Sequence, residues 1–317
     1  MDQARPAPIS VVEIASPSNF DACAYLAANP DVAAAAVKAG FARQHFEAHG
    51  HAEGRYQLTR EATESRRRKM DRLSPHLRQD MEHQWRYGIV DYLTPALRIS
   101  TGISNTDAVS AMGYDPDMLR LIQSYPDGLV LDCGAGFKNE FFDNLVNFEI
   151  VAYPSTDVLG VGERLPFRDN TFDAIMSVAV LEHVRDPFQC AREISRVLKP
   201  GGELYCAMPF LQPYHGYPHH YFNATGQGLR RLFADSLTII RQDIHHGMKP
   251  LATLQWILNS WAAGLSPAAA SDFRNMTVGE LLSSYDGLME RPFCCDLSQE
   301  KIYELACATA ITATKPF

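Results

Sequence analysis

Between residues 129 and 149 the chain carries groups suited to holding a nucleotide-like ligand. An apolar run, Leu129-Val130-Leu131, leads into Asp132-Cys133-Gly134-Ala135-Gly136, and an acid, Glu149, follows. Apolar residues that give way to small ones predict a buried strand ending in a tight turn, and glycines there let the backbone approach a ligand closely because no Cβ intervenes. A carboxylate at the end of the next strand can accept hydrogen bonds from both hydroxyls of a ribose. The plainer alternative is a strand-to-helix turn with no ligand, in which Asp132 caps nearby amides; Glu149, in register beyond it, favours the ligand. A dinucleotide fingerprint would place a third glycine three residues after Gly136, but that position is Asn139, which weakens the case for NAD.

A second group of reactive side chains lies in the stretch Pro209 to Phe222, where aromatic residues are interleaved with His215, His219 and His220. The stretch follows an expected strand, in the place where a parallel sheet carries its ligand-facing loops. Its aromatics could stack on a ring or sugar and an imidazole could take a proton, although packing within the loop is the structural alternative. His183, in Leu181-Glu182-His183-Val184, is a further candidate base, with helix-start packing as its alternative. The loop histidines, with His245 or His246, also offer imidazoles to a divalent ion. No carboxylate stands in the loop to complete such a set, so no metal is assigned.

These groups need a scaffold. After Pro126-Asp127-Gly128 short apolar runs alternate with helical stretches, which predicts strands at Leu129 to Cys133, Val146 to Ile150, Asp157 to Val161, Ala174 to Ser177, Glu203 to Met208, Leu237 to Arg241 and near Ala306 to Thr314. The fold class is therefore α/β, a Rossmann-like and mostly parallel sheet. The connections after Gly136 and after Ile150 are too short for a crossover helix, so one edge of the sheet should be reduced.

Ahead of this region the chain reads as a tail (1–19), a small helical module (20–58) and a helical linker or cap (60–126), with the ligand-binding domain over 127–317. The module, with Tyr25-Leu26-Ala27-Ala28-Asn29-Pro30-Asp31-Val32 and then His45 to Arg55, resembles a short helical repeat that accompanies bacterial glycosyltransferases. A lone unit buries little surface, so it is expected to pack on the larger domain or on a protein partner. The basic run Arg66-Arg67-Arg68-Lys69 is expected to be a solvated face, or alternatively an anchor for an anionic part of a substrate. Leu251, Leu254, Leu258, Trp261 and Leu265 have the spacing of a helical core face.

A net charge of −8 speaks against a nucleic-acid backbone as the main partner. The start of the chain lacks the pattern of a secretory signal and no stretch is long and apolar enough to span a bilayer, so a cytoplasmic protein is expected. Seven scattered cysteines without a C-x-x-C pair suit reduced thiols better than disulfides or a zinc cage.

Four segments in order, Val130-Leu131-Asp132-Cys133-Gly134-Ala135-Gly136, Leu165-Pro166-Phe167-Arg168-Asp169-Asn170-Thr171-Phe172-Asp173, Leu181 to Pro187 and Arg196-Val197-Leu198-Lys199-Pro200-Gly201-Gly202, resemble the class I S-adenosylmethionine-dependent methyltransferases, especially the group with the ubiquinone and menaquinone biosynthesis enzymes. The resemblance implies a seven-stranded sheet and S-adenosylmethionine as cofactor. It places Asp132, Cys133, Gly134, Ala135 and Gly136 toward the amino-acid end, Glu149 at the ribose, and Arg164, Leu165 and Val178 along the adenine and sulfonium. The family often has an Asp shortly before the Leu-Pro-Phe segment, where this chain has Val161 and Glu163. The expected activity is methyl transfer to a small molecule or glycan, with surface-polysaccharide assembly as the context suggested by the repeat. A binding or scaffold protein that holds S-adenosylmethionine without turnover is the alternative.

Overall fold

The computed structural model describes residues 6–36, 38–103, 111–216, 218–245 and 247–315. The chain forms two compact units, one of residues 1–208 and 217–241, the other of residues 209–216 and 242–317. The strands, all in the first unit, are β1 (Ile9–Ser10), β2 (Val12–Ile14), β3 (Tyr56–Leu58), β4 (Gln84–Arg86), β5 (Ile89–Asp91), β6 (Val130–Cys133), β7 (Glu140–Phe141), β8 (Leu145–Glu149), β9 (Val158–Leu159), β10 (Phe172–Val178) and β11 (Leu198–Ala207).

Seven of them make the main sheet, in the order β11-β10-β6-β8-β9-β5-β4. Every neighbouring pair is parallel except β4 and β5, which form a hairpin. The mostly parallel sheet follows from the runs of Val, Ile, Leu and Phe that fill β6, β8 and β10, since strands covered on both faces have no polar side to alternate with.

Two of the seven strands come from a different place than expected. Residues 237–241 and 306–314 are not strands; Ile311 is almost fully exposed, so that run has no sheet to bury it. The opposite edge is extended instead by β4 and β5, from the segment read as a helical cap. The turn between them is Tyr87-Gly88, with φ of 49° and 81°, two successive left-handed residues of the kind a tight hairpin turn needs. Ile89, Val90 and Asp91 are all buried, and Val90 pairs with Val158.

No helix joins β6 to β8 or β8 to β9, as the short connections require. The N-terminal helix Arg60–Leu73 covers that part of the sheet. Its Met70 and Leu73 enter the core with Leu131, Val146 and Val158. Lys69 Nζ donates to Leu145 O at 2.8 Å and pairs with Asp157 at 2.6 Å; Arg66 pairs with Asp157 at 3.2 Å and donates to Pro154 O. Arg68 binds Asp143, and Arg72 binds the carbonyls of Asp127 and Gly128. This corrects the expectation of a solvated or anion-anchoring basic run. Helical periodicity turns Arg66 and Lys69 inward with Ala62, Met70 and Leu73, and leaves Arg67 outside.

β2 pairs with β3 and β1 pairs with β7, so tail, module and cap belong to the unit that holds the sheet. Within the module, Asp21 caps the helix Ala22–Ala28, and buried Tyr25 donates to His45 Nδ1 at 3.0 Å or accepts from it. A Cβ on Gly50 would lie 2.0 Å from the Tyr25 hydroxyl, so only glycine fits there.

Among the described residues, the regular elements of the second unit are all helical. Leu258, Trp261 and Leu265 of the expected apolar face pack on Phe273 and Phe293, and Trp261 Nε1 donates to Phe293 O at 2.7 Å, while Leu251 and Leu254 are exposed. Among the described residues, no helix is long and apolar enough to cross a membrane.

Candidate functional site

The strand order reverses at β6. From it the chain proceeds outward through β8 and β9 on one side and through β10 and β11 on the other. Such a switch point opens a crevice at the carboxyl ends of the strands. A cleft of about 120 Å³ lies there. Cys133, Gly134 and Gly136 line it beyond β6, Glu149 and Ile150 beyond β8, and Ala179 and Val180 beyond β10.

The turn after β6 is built by its glycines. Gly134 (φ +86°) and Gly136 (φ +65°) are left-handed, and the amides of Gly134 and Ala135 donate to Phe148 O, which folds the turn back onto β8. A Cβ on Gly134 would come within 2.4 Å of Val180 Cγ2, so this glycine is required by the wall of the cleft itself. Glu149 is buried; its Oε2 accepts from Gly136 N and its Oε1 from Ile150 N, each at 2.8 Å. Burial pushes the Glu149 carboxyl upward, and the amides of Gly136, Ile150 and Val151 oppose that shift. A carboxylate offers about four lone-pair sites, so acceptor capacity remains for a ligand hydroxyl.

Asp132 lies behind the turn and does not line the cleft. It is buried, its Oδ2 has no hydrogen-bond partner, and Lys138 Nζ stands 3.6 Å away. Burial raises the Asp132 carboxyl, and Lys138 counters this.

Besides Asp132 and Ala135, three expected cofactor residues farther along the chain lie off the cleft. Val178 is buried within β10, in register with Ala207, and Leu165 is in the core, where its amide donates to Glu193. Arg164 is exposed. Their places are taken by Ala179, Val180 and the residues 161–163. Ala179 adopts φ +56°, an uncommon conformation for a residue with a Cβ, where β10 ends and the cleft begins. Nothing in Ser177-Val178-Ala179-Val180 signals this.

His183 and His219 line the cleft, with Thr101, Ile103 and Pro218 forming its cover. His183 Nδ1 donates to His219 O at 2.7 Å, and His219 Nε2 donates to Gly102 O at 2.8 Å, the assignments a carbonyl partner requires. His220 is half-buried and donates to Asn223 Oδ1. His215 belongs to the second unit, where its Nδ1 donates to Pro213 O and its ring packs on Trp256. Tyr217 and His246 lie outside the described residues.

Glu182 is the acidic neighbour that the sequence pattern did not distinguish. It is fully buried, neither carboxyl oxygen has a hydrogen-bond partner, and Oε1 lies 3.8 Å from His183 Nε2. Desolvation raises its pKa to about 8.

Residues 131–206 match the model of a methyltransferase domain family. A Methanocaldococcus jannaschii protein is 36% identical over 99 residues, which are 27% of this chain and 43% of that one. A Schizosaccharomyces pombe methyltransferase is 43% identical over 63 residues, 20% of this chain and 23% of its own. The ubiquinone/menaquinone biosynthesis C-methyltransferase UbiE of Klebsiella pneumoniae is 33% identical over 125 residues, 37% of this chain and 47% of its own. The chain thus spans less than half the length of each of these relatives. The matched segment runs from β6 to β11 and contains the glycine turn, Glu149 and the Glu182-His183 pair, so the likeness to methyltransferases lies in this part of the chain.

Proposed function

We propose that the protein transfers a methyl group from S-adenosylmethionine to a hydroxyl or amine of a small-molecule or glycan acceptor. The observation that carries this reading is the juxtaposition, in one cleft, of the left-handed glycine turn, the amide-held Glu149 and His183. The residues fit the cofactor. Glu149 retains lone pairs for ribose hydroxyls, and the turn at Gly134 and Gly136 offers close backbone approach.

When bound, the cofactor supplies an electrophilic methyl on a sulfonium. The protein then has to align the acceptor and remove its proton. His183 is suited to the second task. Because its Nδ1–H donates to a carbonyl, Nε2 is the basic atom of the neutral ring. His219 instead holds the cover of the cleft through Gly102, and Arg185 adds a second tie by donating to Ser100 O at 2.8 Å. The cleft is smaller than the roughly 300 Å³ at which small-molecule pockets begin, so the cover has to part when the cofactor enters.

The resemblance of the N-terminal module to repeats beside glycosyltransferases supports a glycan acceptor in surface-polysaccharide metabolism and a protein partner for the module. The seven free cysteines suit a reducing, cytoplasmic setting. The test is transfer of labelled methyl from S-adenosylmethionine to a panel of glycans and small hydroxylated or amine acceptors. Labelling that disappears in His183→Ala supports the reading, and cofactor binding without labelling of any acceptor supports the scaffold alternative.

A further inference from the structure

The hairpin of β4 and β5 leaves one edge of the main sheet open. Among the described residues β4 pairs only with β5, so its other side faces no strand. The amides of Val90 and Tyr92 donate to Asp157 O and Leu159 O, which turns the backbone groups of Ile89 and Asp91 toward β4. Arg86 and Gln84 are their partners, so by the alternation of an antiparallel ladder the N–H and C=O groups of His83 and Trp85 point outward. His83 continues the register of the hairpin, since its ring stacks on Tyr92 with centroids 4.9 Å apart. Natural sheets blunt such an edge with lysine, proline or a bulge. This edge instead presents Trp85, which is 52% exposed, between exposed Gln84 and Arg86.

We propose that two copies of this chain associate through β4, in antiparallel register about Gln84, so that their sheets join across a two-fold axis. The stretch Glu82-His83-Gln84-Trp85-Arg86 is complementary to itself when read in the opposite direction. His83 of one copy stands opposite Trp85 of the other, and each such pair exchanges both backbone hydrogen bonds through the groups that point outward. Glu82 and Arg86 then face each other in the intervening positions, where side chains lie closest, and form an ion pair at each end. Both are exposed, and among the described residues neither makes an ion pair within its own chain; Arg86 only donates to Gln84 Oε1 at 2.9 Å. On the other face the Trp85 indole extends the cross-strand row of Tyr92 and His83. An unrelated strand could supply the backbone bonds but not this order of charges, which is why a second copy is the occupant that fits. An edge this short buries less surface than a permanent dimer does, so monomer and dimer should exchange at about micromolar concentrations.

The test is sedimentation equilibrium of the full chain from about 1 to 100 μM, over which the wild type should pass from monomer to dimer, with the dimer weakened by added salt. Arg86→Glu sets an acid against Glu82 of the other copy, and Glu82→Arg sets two arginines together. Each variant alone should need a concentration about tenfold higher, or more, to dimerise, as expected for like charges placed in contact. Because both side chains are exposed, neither substitution threatens the fold. An equimolar mixture of the two variants places an acid opposite an arginine at both ends, and it should associate as the wild type does. That recovery separates pairing through β4 from association elsewhere on the surface, which charges at residues 82 and 86 would not govern. A wild type that stays monomeric throughout the range overturns the proposal. So does a dimer indifferent to Arg86→Glu, or a mixture of the two variants that remains monomeric.

Discussion

Glu149 Oε2 accepts the amide of Gly136 at 2.8 Å, which joins the acid at the end of β8 to the second glycine of the turn after β6. One carboxylate thus shapes the turn and presents an acceptor to the cleft. Glu149→Ala should weaken S-adenosylhomocysteine binding by about 1.5–3 kcal/mol, the range for hydrogen bonds to a charged group. Glu163→Ala is the comparison, because Glu163 also lines the cleft but its Oε1 accepts from Arg185 N. Equal losses in both variants, measured by calorimetry, would show that Glu149 has no particular part.

Glu182 makes stability depend on pH in a definite direction. Its folded pKa of about 8 lies above the ordinary 4.5, so between those values the folded state holds a proton that the unfolded state has released. Stability from this group is therefore complete below about pH 4.5 and is lost as pH rises toward 8. Glu182→Gln, which cannot ionise, should gain on the wild type across that window by several degrees in Tm, on the order expected for a few kcal/mol in a protein of this size. Parallel Tm curves for the two proteins from pH 5 to 8 would contradict the assignment.

Asp157 is buried between two buried cations, Arg66 and Lys69. Asp157→Ala would leave both unpaired beneath the sheet and should cost about 3–5 kcal/mol or prevent folding. Arg67→Ala, on the outer face of the same helix, should fall within about 0.5 kcal/mol of the wild type. Urea denaturation of the two variants separates a structural role for this basic run from the anion-binding role its sequence suggested.

His219 fastens the cover of the cleft by donating to Gly102 O. His219→Ala should speed both release and uptake of S-adenosylhomocysteine in stopped-flow measurements, whereas His220→Ala, whose Nε2 bonds Asn223 Oδ1 and makes no tie to Gly102, should change both rates less. Unaltered exchange in His219→Ala would remove the latch.

The glycine turn and Glu149 were legible because each carries its signal locally, in residue type and in position along a strand. The absent crossover helices were legible from chain length alone. The edge strands β4 and β5 were missed because three residues apiece are too short to show periodicity, and β5 is held by pairing with β9, far along the chain. The basic run misled for a related reason: Arg66 and Lys69 are buried only because Asp157 lies opposite, a partner no local pattern reveals. The shift from Val178 to Ala179 and Val180 at the cleft depends on one left-handed backbone turn at an alanine, which composition does not encode. The pairing of Lys138 with Asp132 likewise appears only once the turn has folded.

The identity of the cleft is tested most directly by titrating the full chain with S-adenosylhomocysteine and, in parallel, with NAD in a calorimeter. A cofactor site built on Gly134, Gly136 and Glu149 predicts saturable binding of S-adenosylhomocysteine at one site per chain, weakened in Glu149→Ala, and no comparable binding of NAD. Absence of S-adenosylhomocysteine binding, or equal binding of NAD, would contradict it.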